Sequence, residues 1–401
     1  MNEAQFSTIK SARITSLDFI RGLVMILMAL DHTRDYFYQG TFFVDPLDLS
    51  TTTPWLYATR WITHLCAPTF VFLAGTSAFL YGARQTRLAA LSRFLWTRGL
   101  WLIFLELTII TFGWWFDVQY RLFLIQVIWA IGWSMLLMSR IIYLPLSWIR
   151  LLGLVIVFGH NLLDPIHFEA TGLRWLWAFL HQADFLMWGE HAFMTRYPLI
   201  PWLGLMMLGY SLGSLYTAEV DANYRRRTLL RLGLAALVLF VILRGANIYG
   251  DPNPWTLQAS GLKSLMSFLN VEKYPPSLQY ALVTLGIALL GLAASEKVSL
   301  RGWAAPAIIF GRVPLFFYLL HIYLIHTLAL GAVVLAGYPA ETMIITPATF
   351  MSKAPLMAKF GYSLGITYSV WLLVLVILFP LCRMYMRYKA RRTEAGWLKY
   401  L

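Results

Sequence analysis

The chain has little charge, few cysteines and none of several motifs common in soluble nucleotide- and metal-binding proteins. Asp, Glu, Lys and Arg make up 13% of its 401 residues, whereas a soluble protein carries about a quarter. Its two cysteines, Cys66 and Cys382, lie in different apolar stretches and indicate no disulfide framework. GxxxxGK[ST], HExxH and CxxC are missing, and no GxGxxG follows a strand. These absences argue against ATP hydrolysis and dinucleotide chemistry by those routes, and we expect no metal.

Hydrophobic sequence is what the chain has in abundance. Its apolar fraction is 59%, and a membrane span needs about 20 mostly apolar residues. The candidate spans are 17–37, 56–82, 95–115, 120–138, 142–160, 198–217, 228–246, 277–295, 303–336 and 362–385. We therefore predict an all-α integral membrane protein, a polytopic bundle of about ten transmembrane helices that forms a single domain over 1–401.

Three details refine this prediction. The first apolar stretch continues too far for a cleavable signal peptide, so it is predicted to be a retained span. The ninth span contains GRVP (311–314) and is expected to be kinked, broken or preceded by a short re-entrant piece. The stretch 171–188 is predicted to be an amphipathic or re-entrant element.

Charge divides the loops into two sets. Alternate loops hold most of the basic residues, among them Arg84, Arg87, Arg225, Arg226 and Arg227, while the others hold mainly Asp and Glu. The positive-inside rule then places both termini in the cytoplasm, with 1–14 as a cytoplasmic segment and 386–401 as a basic cytoplasmic tail. We expect a bacterial inner (cytoplasmic) membrane protein. The net charge of +13 thus indicates membrane orientation, with lipids as partners and no nucleic acid.

Small residues mark predicted helix contacts. Gly209 and Gly213 form a small-xxx-small pair, and the AGTSA run at 74–78 offers a second smooth face. Packing within the monomer is the simpler interpretation, but such faces also permit a homodimer.

Charged groups in the first span are the leading functional candidates, because charge inside a membrane is costly. Arg21 and His32 are eleven residues apart and return to nearly the same helix face, about 16 Å apart along the axis. Asp18 lies one turn before Arg21 on that face. In the alternative, structural interpretation, Asp18 and Arg21 form an ion pair at the membrane interface, and His32 only packs against neighbouring helices.

Other polar groups accompany this face. In the predicted topology all eight histidines fall in the outer half or the outer loops. Tyr318 and His321 share a face of the ninth span, whereas Arg312 points away from His321 unless Pro314 bends the helix. Glu106 is an intramembrane acid in the third span, either a structural partner for an arginine or a catalytic group.

Two further segments contribute candidates. His64 shares a face of the second span with Arg60. In VEKYPPSLQY (271–280), two prolines fix a turn that presents Lys273, Tyr274 and Ser277 at the outer mouth.

Four segments together resemble a known family: RITSLDFIRGLVMILMALDH, HLCAPTFVFLAGTSAFL, KYPPSLQYALVTLG and FGRVPLFFYLLHIYLIH. They are similar to bacterial relatives of heparan-α-glucosaminide N-acetyltransferase, and the Arg-x10-His spacing resembles membrane O-acyltransferases that modify cell-surface sugars. The resemblance implies transfer of an acyl group, expected to be acetyl, from cytoplasmic acyl-CoA to a hydroxyl or amine of an extracytoplasmic sugar or glycoconjugate. It also implies that Arg21 holds the CoA end and that His32 is the catalytic histidine. The loop 38–53, where the lysosomal enzyme's histidine would fall, has none, so His32 and His64 remain alternative bases.

Roles for the candidates follow from thioester chemistry. The enzyme must deprotonate the acceptor, which suits a neutral histidine oriented by a carboxylate such as Asp31 or Asp35. It must also stabilise an oxyanion, for which Lys273, Tyr318 and Arg312 are candidates. Direct attack is favoured, with an acetyl-histidine intermediate left open. The predicted binding residues for acetyl-CoA or another acyl-CoA are Asp18, Arg21, Arg312, Lys273, Tyr274, Ser277, Tyr318 and His321.

Two other functions remain in view. A transporter for a small anionic or sugar solute would use the intramembrane arginines as substrate contacts and Asp18 or Glu106 as proton carriers. A haem protein would need axial histidines that face each other, and the scattered histidine positions argue against it.

Overall fold

The structure is a computed structural model that describes residues 14–40, 45–297, 300, 302–352 and 360–392. The predicted N-terminal segment 1–14 therefore lies outside the described residues except for Ile14, and the predicted tail 386–401 is described only as far as Arg392. Nearly all regular structure is helical. The first half contains α1 (Thr15–Phe37), α2 (Pro54–Ile62), α3 (Cys66–Gly82), α4 (Leu88–Leu105), α5 (Thr111–Trp115), β1 (Leu122–Ile125), α6 (Val127–Ile141), α7 (Leu146–Gly159), α8 (Thr171–Leu180), β2 (Asp184–Trp188) and β3 (His191–Thr195). The second half contains α9 (Leu199–Leu212), α10 (Ala222–Ala246), α11 (Gly261–Leu269), α12 (Leu278–Ser295), α13 (Ala305–Arg312), α14 (Pro314–Leu335), α15 (Pro347–Ser352) and α16 (Leu364–Arg391).

Membrane-spanning character is confirmed for most of the predicted segments. Within the described residues, eight helices are long and apolar enough to cross a membrane: Pro54–Gly82, Leu88–Trp115, Leu146–Leu163, Leu199–Tyr216, Ala222–Ala246, Leu278–Ser295, Pro314–Leu335 and Leu364–Arg391. α1 has 23 residues, and at 1.5 Å per residue it is long enough to span, but it carries charged residues near both of its ends. The chain is thus an all-α polytopic membrane protein; the count of ten spans and the orientation stay predictions.

The predicted span 120–138 is partly wrong. Residues Leu122–Ile125 form β1, which pairs in parallel with β3, and β3 pairs antiparallel with β2 in a three-stranded sheet of order β1-β3-β2. The helix begins only at Val127 and has 15 residues. Hydropathy cannot separate a short apolar strand from the start of a span, because both are runs of apolar residues. The stretch 171–188 is amphipathic α8 followed by β2.

The break predicted in the ninth span is confirmed. α13 ends at Arg312, Val313 has non-helical backbone angles (φ −131°, ψ 51°), and α14 starts at Pro314. Proline lacks the N–H that would continue the helix, and its ring clashes with the preceding turn. Because of this break, the helical periodicity of α14 does not determine where the Arg312 side chain points.

Close backbone contacts hold α1 at the centre of the bundle, against α3, α12, α13, α14 and α16. A Cβ at Gly22 would collide with the carbonyl of Ala307, and one at Gly311 with the carbonyl of Asp18. Only glycines permit this approach of α1 to α13.

The two small-residue faces predicted from the sequence pack against each other, joining α3 to α9. A Cβ at Gly209 would collide with the carbonyl of Phe72, and one at Gly75 with that of Met206. Thr76 Oγ1 donates to the carbonyl of Gly209 at 2.9 Å. This confirms the packing interpretation of both faces.

Candidate active site

Three predicted site residues meet at one end of the bundle, where α1 begins and α3 and α16 end; we call it the basic end. Asp18, 4% exposed, has carboxylate oxygens 3.4 Å from Nη1 of Arg21 and 3.4 Å from Nε of Arg312. Arg21 also donates to the carbonyl of Gly311 (3.0 Å) and to Oγ of Ser77 (2.9 Å). Two guanidinium groups thus face one carboxylate, and their positive charge favours an anionic ligand.

A cavity of about 470 Å³ adjoins this cluster. Its basic lining residues are Arg21, Arg84, Arg98 and Lys389. Arg84 lies in the turn after α3, and Lys389 lies near the end of α16, so the cavity reaches the basic end. The rest of the lining is mostly apolar, contributed by α1, α3, α4, α6 and α14. A basic mouth on an apolar interior suits a ligand with an anionic head and an uncharged arm.

The cavity follows one face of α1 toward the middle of the bundle. Arg21, Met25 and Met28 line it, and at helical spacing the next residue on their face is His32. On the opposite wall the cavity reaches Tyr318 of α14, whose ring centroid is 6.3 Å from that of His32. The cavity therefore leads from the arginines toward His32, which lies beyond its lining residues on the same face of α1.

His32 is paired with a second buried histidine. Its Nδ1 lies 2.6 Å from Nε2 of His321, and the two rings are stacked 4.9 Å apart. On its other side, Nδ1 of His321 lies 2.5 Å from the carbonyl oxygen of Tyr318 and 3.2 Å from that of Phe317. The side chains are 8% and 0% exposed for His32 and His321, so these partners replace water.

This chain of contacts fixes the tautomers of the neutral pair. A carbonyl oxygen only accepts, so Nδ1 of His321 carries the proton and donates to Tyr318. Nε2 of His321 is then an acceptor, and Nδ1 of His32 must donate to it. The remaining nitrogen, Nε2 of His32, is left with its lone pair. That is the protonation state a general base requires.

Aromatic groups enclose the pair. Trp114 meets the His32 ring edge-on at 4.7 Å, and Tyr36 stacks on Trp114 at 5.8 Å. The hydroxyl of Tyr318 is buried and donates no hydrogen bond within the described residues, and the indole N–H of Trp114 lies near its oxygen. Because this hydroxyl belongs to a cavity-lining residue, it is a donor available to a ligand carbonyl.

Glu106 has a structural role in the described contacts. It lies where α4 gives way to a π-helical turn, Glu106–Ile110, and its Oε2 accepts from the backbone N–H of Trp129 at 3.1 Å. Trp129 is in the first turn of α6, so the carboxylate satisfies an otherwise unpaired N–H at a helix N-terminus. The alternative of an arginine partner finds no support among these contacts.

Asp31 and Asp35 pair with arginines. Asp31 is 2.8 Å from Nη1 of Arg34 and 3.2 Å from Nη1 of Arg60, and it accepts from Oγ1 of Thr63 at 2.8 Å. Asp35 is 2.6 Å from Nη2 of Arg34. Among the described contacts neither carboxylate bonds to a histidine ring; the residue that orients His32 is His321.

Lys273, Tyr274 and Ser277 lie at the opposite end of the bundle from the arginine cluster, in the turn before α12. Ser277 caps α12 through the N–H of Tyr280 (3.0 Å) and donates to Asp251 (2.7 Å). The ammonium of Lys273 lies 5.1 Å above the ring of Tyr274. Burial raises the pKa of the Asp251 carboxyl, which the hydrogen bonds of this turn oppose.

His64 occupies a separate position. Its ring meets that of Tyr280 edge-on at 5.4 Å, and its backbone carbonyl accepts from the Tyr280 hydroxyl at 2.9 Å. Both ring nitrogens are buried without a hydrogen-bond partner in the described part of the chain. No described contact joins His64 to His32.

The predicted donor-binding residues thus form two groups. Asp18, Arg21 and Arg312 lie at the basic end, whereas Tyr318 lies at the inner reach of the cavity and His321 follows it on α14, outside the cavity lining. The Lys273 turn belongs instead to the other end. The pairing of His32 with His321 was missed, although the shared face of Tyr318 and His321 was a signal that this part of α14 points inward.

A family model described as heparan-alpha-glucosaminide N-acetyltransferase, catalytic, matches residues 13–249, more than half of the chain. The chain belongs to this family of transmembrane acetyltransferases, as its resemblance predicted. The match includes Arg21 and His32 and ends before His321. No curated protein matches the chain.

Proposed function

We propose that this protein transfers an acetyl group from cytoplasmic acetyl-CoA to an amine or hydroxyl of a sugar on the far side of the membrane. The observation that carries the proposal is the cavity that runs from the Arg21 cluster along one face of α1 toward His32. Family membership supports acetyl transfer; the donor and the acceptor are our inference.

The donor would enter at the basic end. Arg21, Arg84, Arg98 and Lys389 offer positive charge for the phosphates of the CoA head. The apolar lining formed by Met25 and Met28 suits the uncharged pantetheine arm. The positive-inside rule assigns this end to the cytoplasm, where acetyl-CoA is made.

The proposed reaction is direct transfer. The acceptor nitrogen or oxygen attacks the thioester carbonyl while Nε2 of His32 takes the acceptor's proton. Tyr318 donates to the developing oxyanion. The carbon–sulfur bond then breaks, and the imidazolium of His32 returns its proton to the leaving thiolate. His321 accepts the Nδ1–H hydrogen bond of His32 throughout.

The acceptor would approach from the opposite end. There Arg34, Arg60 and Lys273 surround Asp31 and Asp35, within a region that also contains His64. These side chains offer many donors for sugar hydroxyls. His64 remains the alternative base, and its position beside Tyr280 favours a supporting role.

Calorimetry with acetyl-CoA on detergent-purified protein tests the donor site. Wild type and Arg93→Ala, which removes an exposed arginine of α4 outside the cavity lining, should bind alike. Arg21→Ala should bind about tenfold more weakly, the loss expected for one charge-assisted contact. Equal binding by all three proteins, or none by wild type, would contradict the donor site.

Transfer itself is tested with labelled acetyl-CoA and amino sugars. His32→Ala should bind acetyl-CoA normally and lose about 100- to 10,000-fold in rate. Saturable sugar uptake by proteoliposomes without CoA, with no acetyl transfer, would favour a transporter instead.

A further inference from the structure

A second histidine cluster lies at the end of the bundle opposite the basic end. The last turn of α7 continues into a 3-10 turn, His160–Leu163, followed by Asp164, and α8 ends just before His181. His160, Asp164 and His181 each offer one ligand atom, all within 4.8 Å of one another, the one such group in the described part of the chain. No metal-binding motif marks them in the sequence, because His181 lies far from the other two.

The donor atoms of the three residues lie close together. Nε2 of His181 is 3.4 Å from Nδ1 of His160 and 3.6 Å from Oδ1 of Asp164. It is also 2.8 Å from the carbonyl oxygen of His160. With metal–nitrogen and metal–oxygen bonds of about 2.0–2.1 Å, tetrahedral ligands lie about 3.3–3.4 Å apart. The first two separations are close to this value.

The hydrogen bonding without a cation is incomplete. Oδ1 of Asp164 and Nδ1 of His181 are both buried with no partner in the described residues. His181 is 1% exposed and His160 is 3% exposed. If Nε2 of His181 donates to the His160 carbonyl, its Nδ1 is a buried acceptor with no donor. If Nδ1 carries the proton instead, Nε2 faces the carbonyl lone pair across 2.8 Å, and a cation bound to the lone pair of Nε2 would relieve that repulsion.

We propose that His160, Asp164 and His181 bind a divalent zinc ion. Two imidazoles and a carboxylate are ligands that zinc accepts in tetrahedral sites. Hard cations such as magnesium and calcium prefer all-oxygen sites, so they fit this set poorly.

A bound zinc ion would link the segment after α7, which contains His160 and Asp164, to the end of α8 at His181. Asn161 donates to Oδ2 of Asp164 at 2.9 Å, and its amide oxygen accepts from the N–H of Leu278, in the first turn of α12, at 2.9 Å. Trp177 of α8 stacks on the ring of His181 at 5.1 Å. A bound ion would therefore join α7, α8 and the start of α12, a structural role separate from His32.

Zinc titration of untagged protein, stripped with chelator and dialysed, tests the proposal. We expect one equivalent of zinc to bind by calorimetry and cobalt to give the absorption of a tetrahedral site. Because even an outer-shell partner is worth about 10- to 100-fold in metal affinity, His181→Ala and Asp164→Asn should each weaken binding by more than 100-fold. The matched control His167→Ala removes a neighbouring exposed histidine and should bind as wild type.

Thermal unfolding gives an independent readout. Added zinc should raise the melting temperature of wild type and His167→Ala and leave that of Asp164→Asn unchanged, because a ligand stabilises only a protein that binds it. Absence of zinc binding to wild type would overturn the proposal, as would wild-type affinity in Asp164→Asn.

Discussion

Replacing His321 with leucine tests the histidine pair most directly. The change removes the acceptor for Nδ1–H of His32, 2.6 Å away, and lets the proton move to the nitrogen that must act as base. A hydrogen bond to a group that becomes charged is worth about 1.5–3 kcal/mol. At 1.36 kcal/mol per tenfold, kcat for acetyl transfer should fall by about 10- to 150-fold.

Rescue separates orientation from packing. His321→Gln keeps an acceptor oxygen for His32 and should recover most of the rate. His326→Gln is the matched control, because His326 is equally buried in the same helix but bonds to the carbonyls of Gly113 and Met343. KM for acetyl-CoA should change little in all three variants, since His321 positions the base and does not hold the CoA head.

The assay is steady-state transfer from labelled acetyl-CoA, which gives kcat and KM, with melting temperatures measured beside it. Wild-type kcat in His321→Leu would refute the orienting role. So would equal losses in His321→Leu and His321→Gln at matched stability, since the acceptor would then be irrelevant.

Three other changes have defined outcomes. Ala78→Trp fills the cavity lining and should abolish acetyl-CoA binding in calorimetry, whereas Ala89→Trp on the exposed side of α4 should not. Gly22→Ala forces a side chain into α13 and should lower the unfolding free energy by about 1–3 kcal/mol, with Gly245→Ala, which meets open space, as control by thermal unfolding. Glu106→Leu removes the acceptor for an N–H of α6 and should destabilise by about 0.5–2 kcal/mol, while Glu106→Gln should cost less; equal losses would contradict the capping role.

Local sequence determined the class of protein and most of its helices. Hydropathy reflects transfer of a segment into lipid, a property of about 20 consecutive residues, and the break before Pro314 follows from the missing N–H of one residue. The shared face of Arg21 and His32 follows from helical periodicity alone. The helical prediction for 120–138 was wrong at its start, because Leu122–Ile125 pairs with β3, a strand that lies elsewhere in the chain.

Tertiary structure alone decided how the candidates combine. His321 reaches His32 only because α13 and α14 meet at the break and pack on α1, which requires close approach at Gly22 and Gly311. Asp31 pairs with Arg34 within α1, and the packing of α2 on α1 brings Arg60 to the same carboxylate. Helical periodicity gives the direction of a side chain from its own helix. It does not say which distant helix supplies the hydrogen-bond partner of that side chain. For His32 this partner is His321 of α14, which determines the ring nitrogen that carries the proton.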